Sequence, residues 1–137
     1  SLLTDVGGDL HISNNSALSD LSGLSLLTDV GDHLFVWSHA SLDSFSLPSL
    51  TNVGTEVNIK WNDALDSFSI PNLTYIGRPL VIEFNPALTS FSFDSLDTVG
   101  TNLVIRLNDS LCQSLVDAFI PTVEILGWFE TYSNADC

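Results

Sequence analysis

The sequence predicts a mainly β fold: a β-solenoid of five coils of 23–24 residues, closed by a C-terminal cap with a short helix and a disulfide. Three observations carry this. First, the segment "LTYIGRPLVIEFNPAL" (73–88) recurs as "LTDVGGDLHISNNSAL" (3–18), "LTDVGDHLFVWSHASL" (27–42), "LTNVGTEVNIKWNDAL" (50–65) and "LDTVGTNLVIRLNDSL" (96–111). Second, its glycines fall at Gly7, Gly31, Gly54, Gly77 and Gly100, at intervals of 24, 23, 23 and 23, a period typical of stacked repeats. Third, apolar residues alternate after each glycine, the two-residue period of a strand with one buried face.

The alternating pairs are Leu10/Ile12, Leu34/Val36, Val57/Ile59, Leu80/Ile82 and Leu103/Ile105. The glycine before each pair fits a turn needing positive φ. After each pair comes a column of Asn15, Asn62, Asn85 and Asn108, with His39 in the second copy. These five are expected to be structural. An inward carboxamide can donate to and accept from the backbones of adjacent coils, and an imidazole nitrogen of His39 can stand in for the amide. Further apolar columns follow, among them Leu18, Leu42, Leu65, Leu88 and Leu111. Phe45, Phe68 and Phe91 form an expected internal aromatic ladder, and Pro48 and Pro71 suit a corner outside the hydrogen-bond ladders. Only stacking of coils buries such a ring of side chains.

From Cys112 the period breaks, which divides one domain into repeats over 1–111 and a cap over 112–137. "CQSLVDAF" has helical spacing and is stopped by Pro121, and "TVEILGWFETY" suggests a last strand. Cys112 and Cys137 flank this segment and read as one disulfide, with two unrelated thiols as the alternative. Such a bridge would stabilise by about 3 kcal/mol in the chain-entropy model and points to an oxidising compartment. Ser1 falls inside a repeat without the n-region and h-region of a signal peptide. The expectation is that such a peptide is absent or already removed, and that the first coil has no cap.

Composition narrows the function classes. Three Lys+Arg against 17 Asp+Glu give a formal charge of -14, which repels phosphate backbones and anionic headgroups. Nucleic acid and direct membrane insertion are therefore not expected. No nucleophile–base–acid set or phosphate loop stands out, so the chain reads as a non-enzyme without a cofactor. No metal site is expected; Ca²⁺ is the one ion suggested, by neighbouring carboxylates such as Asp43/Asp66 and Asp5/Asp29.

The pattern "L-x-x-V-G-x-x-L-x-I-x-x-N-x-x-L" resembles the leucine-rich repeats of the receptor L-domain-like family, which includes secreted and surface proteins of bacteria. The closing "NDSLCQSLVDAF" with a terminal Cys is similar to the cap of those bacterial versions. The resemblance implies a right-handed leucine-rich-repeat-like solenoid at the cell surface or outside the cell, used for binding or adhesion. Fold resemblance alone names no ligand.

With the core columns assigned, recognition falls to the strand face. Phe35, Trp37, Trp61, Phe84 and Leu107 would lie about 4.8 Å apart as one apolar patch for a protein or a glycan at the cell surface. Trp37 is expected to be exposed; for Trp61 and Phe84, an exposed platform and a wide core corner both remain open. Lys60, Glu83 and Arg106 are expected to form a solvated cross-strand charge ladder. Ser44, Ser67 and Ser90, then Ser22, Ser46, Ser69 and Ser92, and Thr4, Thr28, Thr51 and Thr74 form hydroxyl ladders. Two alternatives to recognition follow: self-assembly into a filament or surface layer, and ice binding through the Ser/Thr ladders. Glycosylation sequons stand at Asn14, Asn72 and Asn108, the last in the inward column.

Overall fold

The computed structural model describes residues 3–137, so the expectation for Ser1 lies outside it. The protein is mainly β with parallel sheets. Each repeat lays down one short strand in each of two six-stranded sheets. The first sheet comprises β1 (Asp5–Val6), β3 (Asp29–Val30), β6 (Asn52–Val53), β9 (Tyr75–Ile76), β12 (Thr98–Val99) and β14 (Glu124–Ile125). The second comprises β2 (Leu10–Ser13), β4 (Leu34–Trp37), β7 (Val57–Lys60), β10 (Leu80–Glu83), β13 (Leu103–Arg106) and β15 (Phe129–Tyr132). A third sheet joins β5 (Ser44–Ser46), β8 (Ser67–Ser69) and β11 (Ser90–Ser92). In the first repeat Ser22 instead begins a 3-10 turn, so it does not extend the serine row of that sheet.

Every neighbouring pair is parallel and in register by one repeat: Leu80 faces Val57 on one side and Leu103 on the other. The alternation seen in the sequence is the alternation in space. Leu80, Ile82, Leu88, Leu73 and Ile76 are all fully buried, and their equivalents in neighbouring repeats stack on them in one core. Phe45 stacks on Phe68 at 5.2 Å and Phe68 on Phe91 at 5.9 Å between ring centroids. The helix α1 (Gln113–Phe119) closes this ladder by setting Phe119 edge-on against Phe91 at 5.1 Å and burying Val116. Cys112 and Cys137 are disulfide-bonded, which ties the last residues to the start of α1.

Beyond Leu111, β14 and β15 add one more strand to each large sheet. Their register is displaced by 26 residues, with Leu103 opposite Phe129, because α1 is inserted first. At the opposite end Leu10, Ile12, Leu18 and Leu24 border an open cleft of about 500 Å³.

The buried polar column forms a chain of hydrogen bonds. The Asn62 side-chain nitrogen donates to the Val36 carbonyl at 3.0 Å, and its oxygen accepts from the His39 main-chain N–H at 3.2 Å. Asn85 repeats this with Ile59 and Asn62, and Asn108 with Ile82 and Asn85. His39 is also fully buried and sets its two ring nitrogens against the carbonyl oxygens of Ile12 and Asn15. Asn15 departs from expectation. It is exposed, and its amide turns back to its own Ser13 carbonyl because no described residue lies on its outer side.

The glycine column also differs. None of the glycines has positive φ. The constraint is close approach: a Cβ on Gly31, Gly54, Gly77 or Gly100 would overlap the carbonyl of the glycine one repeat earlier. At Gly7 the same position is open. Gly77→Ala is therefore expected to destabilise by about 3 kcal/mol or more, because backbone must move to admit the methyl. Gly7→Ala should be neutral or slightly stabilising; urea unfolding of both variants checks the contrast. In the amide column, Asn85→Ala should cost about 1–3 kcal/mol for the buried groups it orphans, whereas Asn15→Ala should change stability by less than about 0.5 kcal/mol. Equal unfolding midpoints for the two alanine variants would contradict this hydrogen-bond chain.

Candidate functional site

The second large sheet presents one face to the core and one outward. Side chains alternate along its strands, so Ile59 points inward and Lys60 outward, and strict alternation would put residue 61 inside. The chain breaks the alternation with a left-handed residue. Asn14, Ser38, Trp61, Phe84, Leu107 and Ser133 have φ of 57°, 60°, 57°, 55°, 58° and 54°. Each turns its own side chain outward and the following Asn or His inward. Asn tolerates this conformation; for a bulky side chain it costs on the order of 1–2 kcal/mol.

Trp61 and Phe84 occupy two of these strained positions and are exposed, at 46% and 39%. The question the sequence left open thus resolves toward the platform. Trp37, expected to be the exposed ring, is half-buried instead. It stacks on Phe35 at 4.5 Å, and its indole N–H donates to Asn58 at 3.1 Å. Asn58 is held in turn by Glu56 at 2.8 Å. Trp37 then meets Trp61 edge-on at 6.1 Å, and Trp61 is stacked with Phe84 at the same centroid spacing. Four of the five predicted patch residues therefore form one continuous row of rings across β4, β7 and β10, and Leu107 is half-buried one repeat beyond.

The expected solvated ladder of Lys60, Glu83 and Arg106 is not present. Glu83 is buried, at 9% exposure, and accepts a 2.8 Å bond from Arg106. Arg106 also reaches Glu130 at 3.1 Å and the Tyr132 hydroxyl at 2.9 Å. The bond to Glu83 holds the guanidinium pKa above its ordinary value, against the pull of desolvation. Lys60 turns the other way. Its ammonium lies 4.4 Å from the Trp37 ring centroid and 4.3 Å from that of Trp61, a cation–π clamp between the two indoles. Among the described residues no carboxylate pairs with it. The physical reason is competition: Arg106 offers Glu83 a charge-assisted hydrogen bond while its other nitrogen holds Glu130 and Tyr132, and two indole faces attract Lys60.

At the far edge of the sheet, Asp9 accepts from the His33 ring at 2.8 Å and from the His33 N–H at 3.1 Å, which lowers the Asp9 pKa. His11 continues the row of rings toward that edge, 4.4 Å from Phe35.

Glu130 and Tyr132 were missed as members of this face because a search at 23-residue spacing does not align them. Shifting "FETY" by 26 places them beside Val104 and Arg106. The same shift brings Asn134 into the amide column, where its oxygen accepts from Asn108 at 3.2 Å. Of the hydroxyl ladders, Thr28, Thr51 and Thr74 each donate to the carbonyl of the Thr one repeat earlier, at 3.0–3.1 Å, which supports their reading as packing residues. Asn108 is fully buried, so its sequon is inaccessible in the folded chain. Among the described residues no helix is long and apolar enough to cross a membrane.

Comparison with known proteins gives no match, whether to a family model, a curated protein or a solved structure.

Trp61→Asn and Trp61→Ala both delete the ring, but only Asn tolerates the left-handed backbone. The Asn variant is expected to be the more stable by about 1 kcal/mol, measured by urea unfolding. Equal stabilities would mean that the backbone at this position carries no strain.

Proposed function

We propose that this chain is a right-handed leucine-rich-repeat-like solenoid of the receptor L-domain-like kind, acting outside the cell as a non-enzymatic recognition or adhesion module. Binding takes place on the outward face of the strands β2 to β15. The one-repeat register of every strand pair supports the solenoid reading, and the disulfide fits an oxidising compartment.

One observation carries the functional reading. Trp61 and Phe84 are neither placed where their backbone preference would put them nor buried where the core would reward them. Large apolar side chains held at strained positions and left exposed are explained by something that covers them. The surrounding contacts favour the same reading. Trp37, Lys60 and the Glu83–Arg106–Glu130–Tyr132 network hold the face rigid before a partner arrives, and this lowers the entropy lost on binding.

The test is an array printed with extracellular proteins and with glycans, probed with wild type beside Trp61→Asn and Trp37→Ala. At least one spot should bind wild type and lose about tenfold or more of its signal with Trp61→Asn, as expected of an aromatic anchor. Array binding that both variants retain in full would reject the strand face as the site.

A further inference from the structure

The two ends of the stack of repeats are both open and differ in kind. Strands β1 and β2 form one edge of the large sheets, and β14 and β15 form the other. Along β2 the Leu10 N–H donates to His33 and the Asn14 N–H to Trp37. The backbone groups of the alternate residues, His11 and Ser13, therefore point away from the stack. The first coil also carries residues that only a coil seated on it would require. Gly7 is a glycine like those of the later repeats, although a Cβ there would meet nothing. Asn15 holds its place in the amide column, yet among the described residues its oxygen accepts from no main-chain N–H. Leu10, Ile12 and Leu18 are only half-buried, whereas Leu34, Val36 and Leu42 one repeat later are fully buried.

The last coil has the geometry of such a neighbour. Ser133 keeps the left-handed φ of 54°, and Asn134 enters the amide column. Leu126 takes the register of the column glycines, since its N–H donates to Val99 as that of Gly100 does to Ile76. The cap does not cover this coil. Leu126, Phe129 and Trp128 are the three most exposed large apolar side chains among the described residues, at 61%, 56% and 55%. Continuing the register by one step sets β15 of one copy against β2 of the next. Phe129 then lies opposite Leu10, Glu130 opposite His11 and Asn134 opposite Asn15. The Asn15 oxygen would accept from the Asn134 N–H and its nitrogen would donate to the Thr131 carbonyl, as Asn62 does with His39 and Val36. Phe129 would enter the cleft of about 500 Å³ bordered by Leu10, Ile12 and Leu18, and Gly7 would leave room for the Leu126 carbonyl. A preceding repeat alone would cover the first coil and leave Leu126 and Phe129 bare. A second copy covers both ends with one contact.

We infer that the outer edge of the first coil is an interface for a second copy of this chain, which seats its last coil there, head to tail. The contact joins unlike surfaces and repeats one step of the stack, so it does not close and adds copies along the same axis. It uses only the ends of the molecule and stands independently of recognition by the strand face. The charge of -14 on each copy opposes the contact, and salt screens that opposition.

Sedimentation velocity of the whole chain, over a range of concentrations at low and at high salt, tests it. Wild type should form a series of species that lengthens with concentration and with salt and does not stop at a dimer. Gly7→Ala at one end and Phe129→Lys at the other should each weaken association tenfold or more. Phe129→Lys also reduces the net negative charge, so its loss of association would not come from added repulsion. Each variant keeps one intact end. An equal mixture of the two should therefore recover a dimer, joined by the last coil of Gly7→Ala and the first coil of Phe129→Lys, and nothing longer. Trp61→Asn should assemble as wild type does, because the aromatic row lies outside the contact. A wild-type far-UV spectrum and cooperative unfolding confirm that the end variants are folded. The inference is overturned by a monomer at every concentration and salt, or by a wild-type series that ends at a dimer. It is equally overturned if both end variants associate like wild type, if their mixture recovers no dimer, or if Trp61→Asn abolishes association.

Discussion

The amide column sets the register on which the other contacts depend. From His39 to Asn85, each main-chain N–H in the column is taken by the side-chain oxygen of the next repeat's Asn. From Asn62 to Asn134, each amide nitrogen reaches back to a strand carbonyl of the repeat before. These bonds are made where water is excluded, so a neighbour displaced by one residue would orphan several polar groups and also turn its apolar face outward. With that slip forbidden, like residues fall on like residues. Glycine lies against glycine at a separation too small for a methyl group, Thr hydroxyls meet Thr carbonyls, and Phe45, Phe68 and Phe91 stack.

An inward Asn two residues after an outward strand residue is reached here through a residue between them with positive φ. Alternation alone would bury Trp61 and expose Asn62; the left-handed step exchanges them. The strain and the exposed aromatic row therefore share one origin. The stack needs the left-handed position in every repeat, but it does not need a large ring there. Asn14, Ser38 and Ser133 meet the same requirement with small or tolerant side chains.

Much of this was legible because period and alternation are properties of the chain itself. The strands, the inward amides and the Phe ladder follow from columns that align at 23 residues, and the terminal helix from the apolar spacing of "CQSLVDAF" where that period stops. What failed to appear depends on contacts between repeats or on competition among side chains. Positive φ was assigned to glycine by local turn preference, yet the glycine column answers to the carbonyl one repeat away, which no local pattern shows. Asn15 has the same sequence context as Asn62 but lacks a neighbour on its outer side among the described residues. Lys60 and Glu83 are adjacent across strands, as a charge ladder requires, but Arg106 takes the carboxylate and two indoles take the ammonium. Asn134, Glu130 and Tyr132 were hidden because the helical insertion changes the spacing from 23 to 26.

The repeats also serve as internal controls for one another, because the same backbone bonds recur beneath different side chains. On the third sheet the chain uses the same triplet three times, Ser-Phe-Ser, with both serines outward. On the second large sheet no two described repeats share the same outward set. Phe35/Trp37 gives way to Asn58/Lys60, then Val81/Glu83, then Val104/Arg106, on strands of identical length and register. The hydrogen bonds between strands tolerate all of these, so backbone requirements do not select them. Mutual packing of the outward side chains, as in the Arg106 network, accounts for part of the variety. Packing explains Glu83, which is buried, and Trp37, whose indole N–H is satisfied internally. It gives no reason for Trp61 and Phe84, which are large, exposed and held at positive φ.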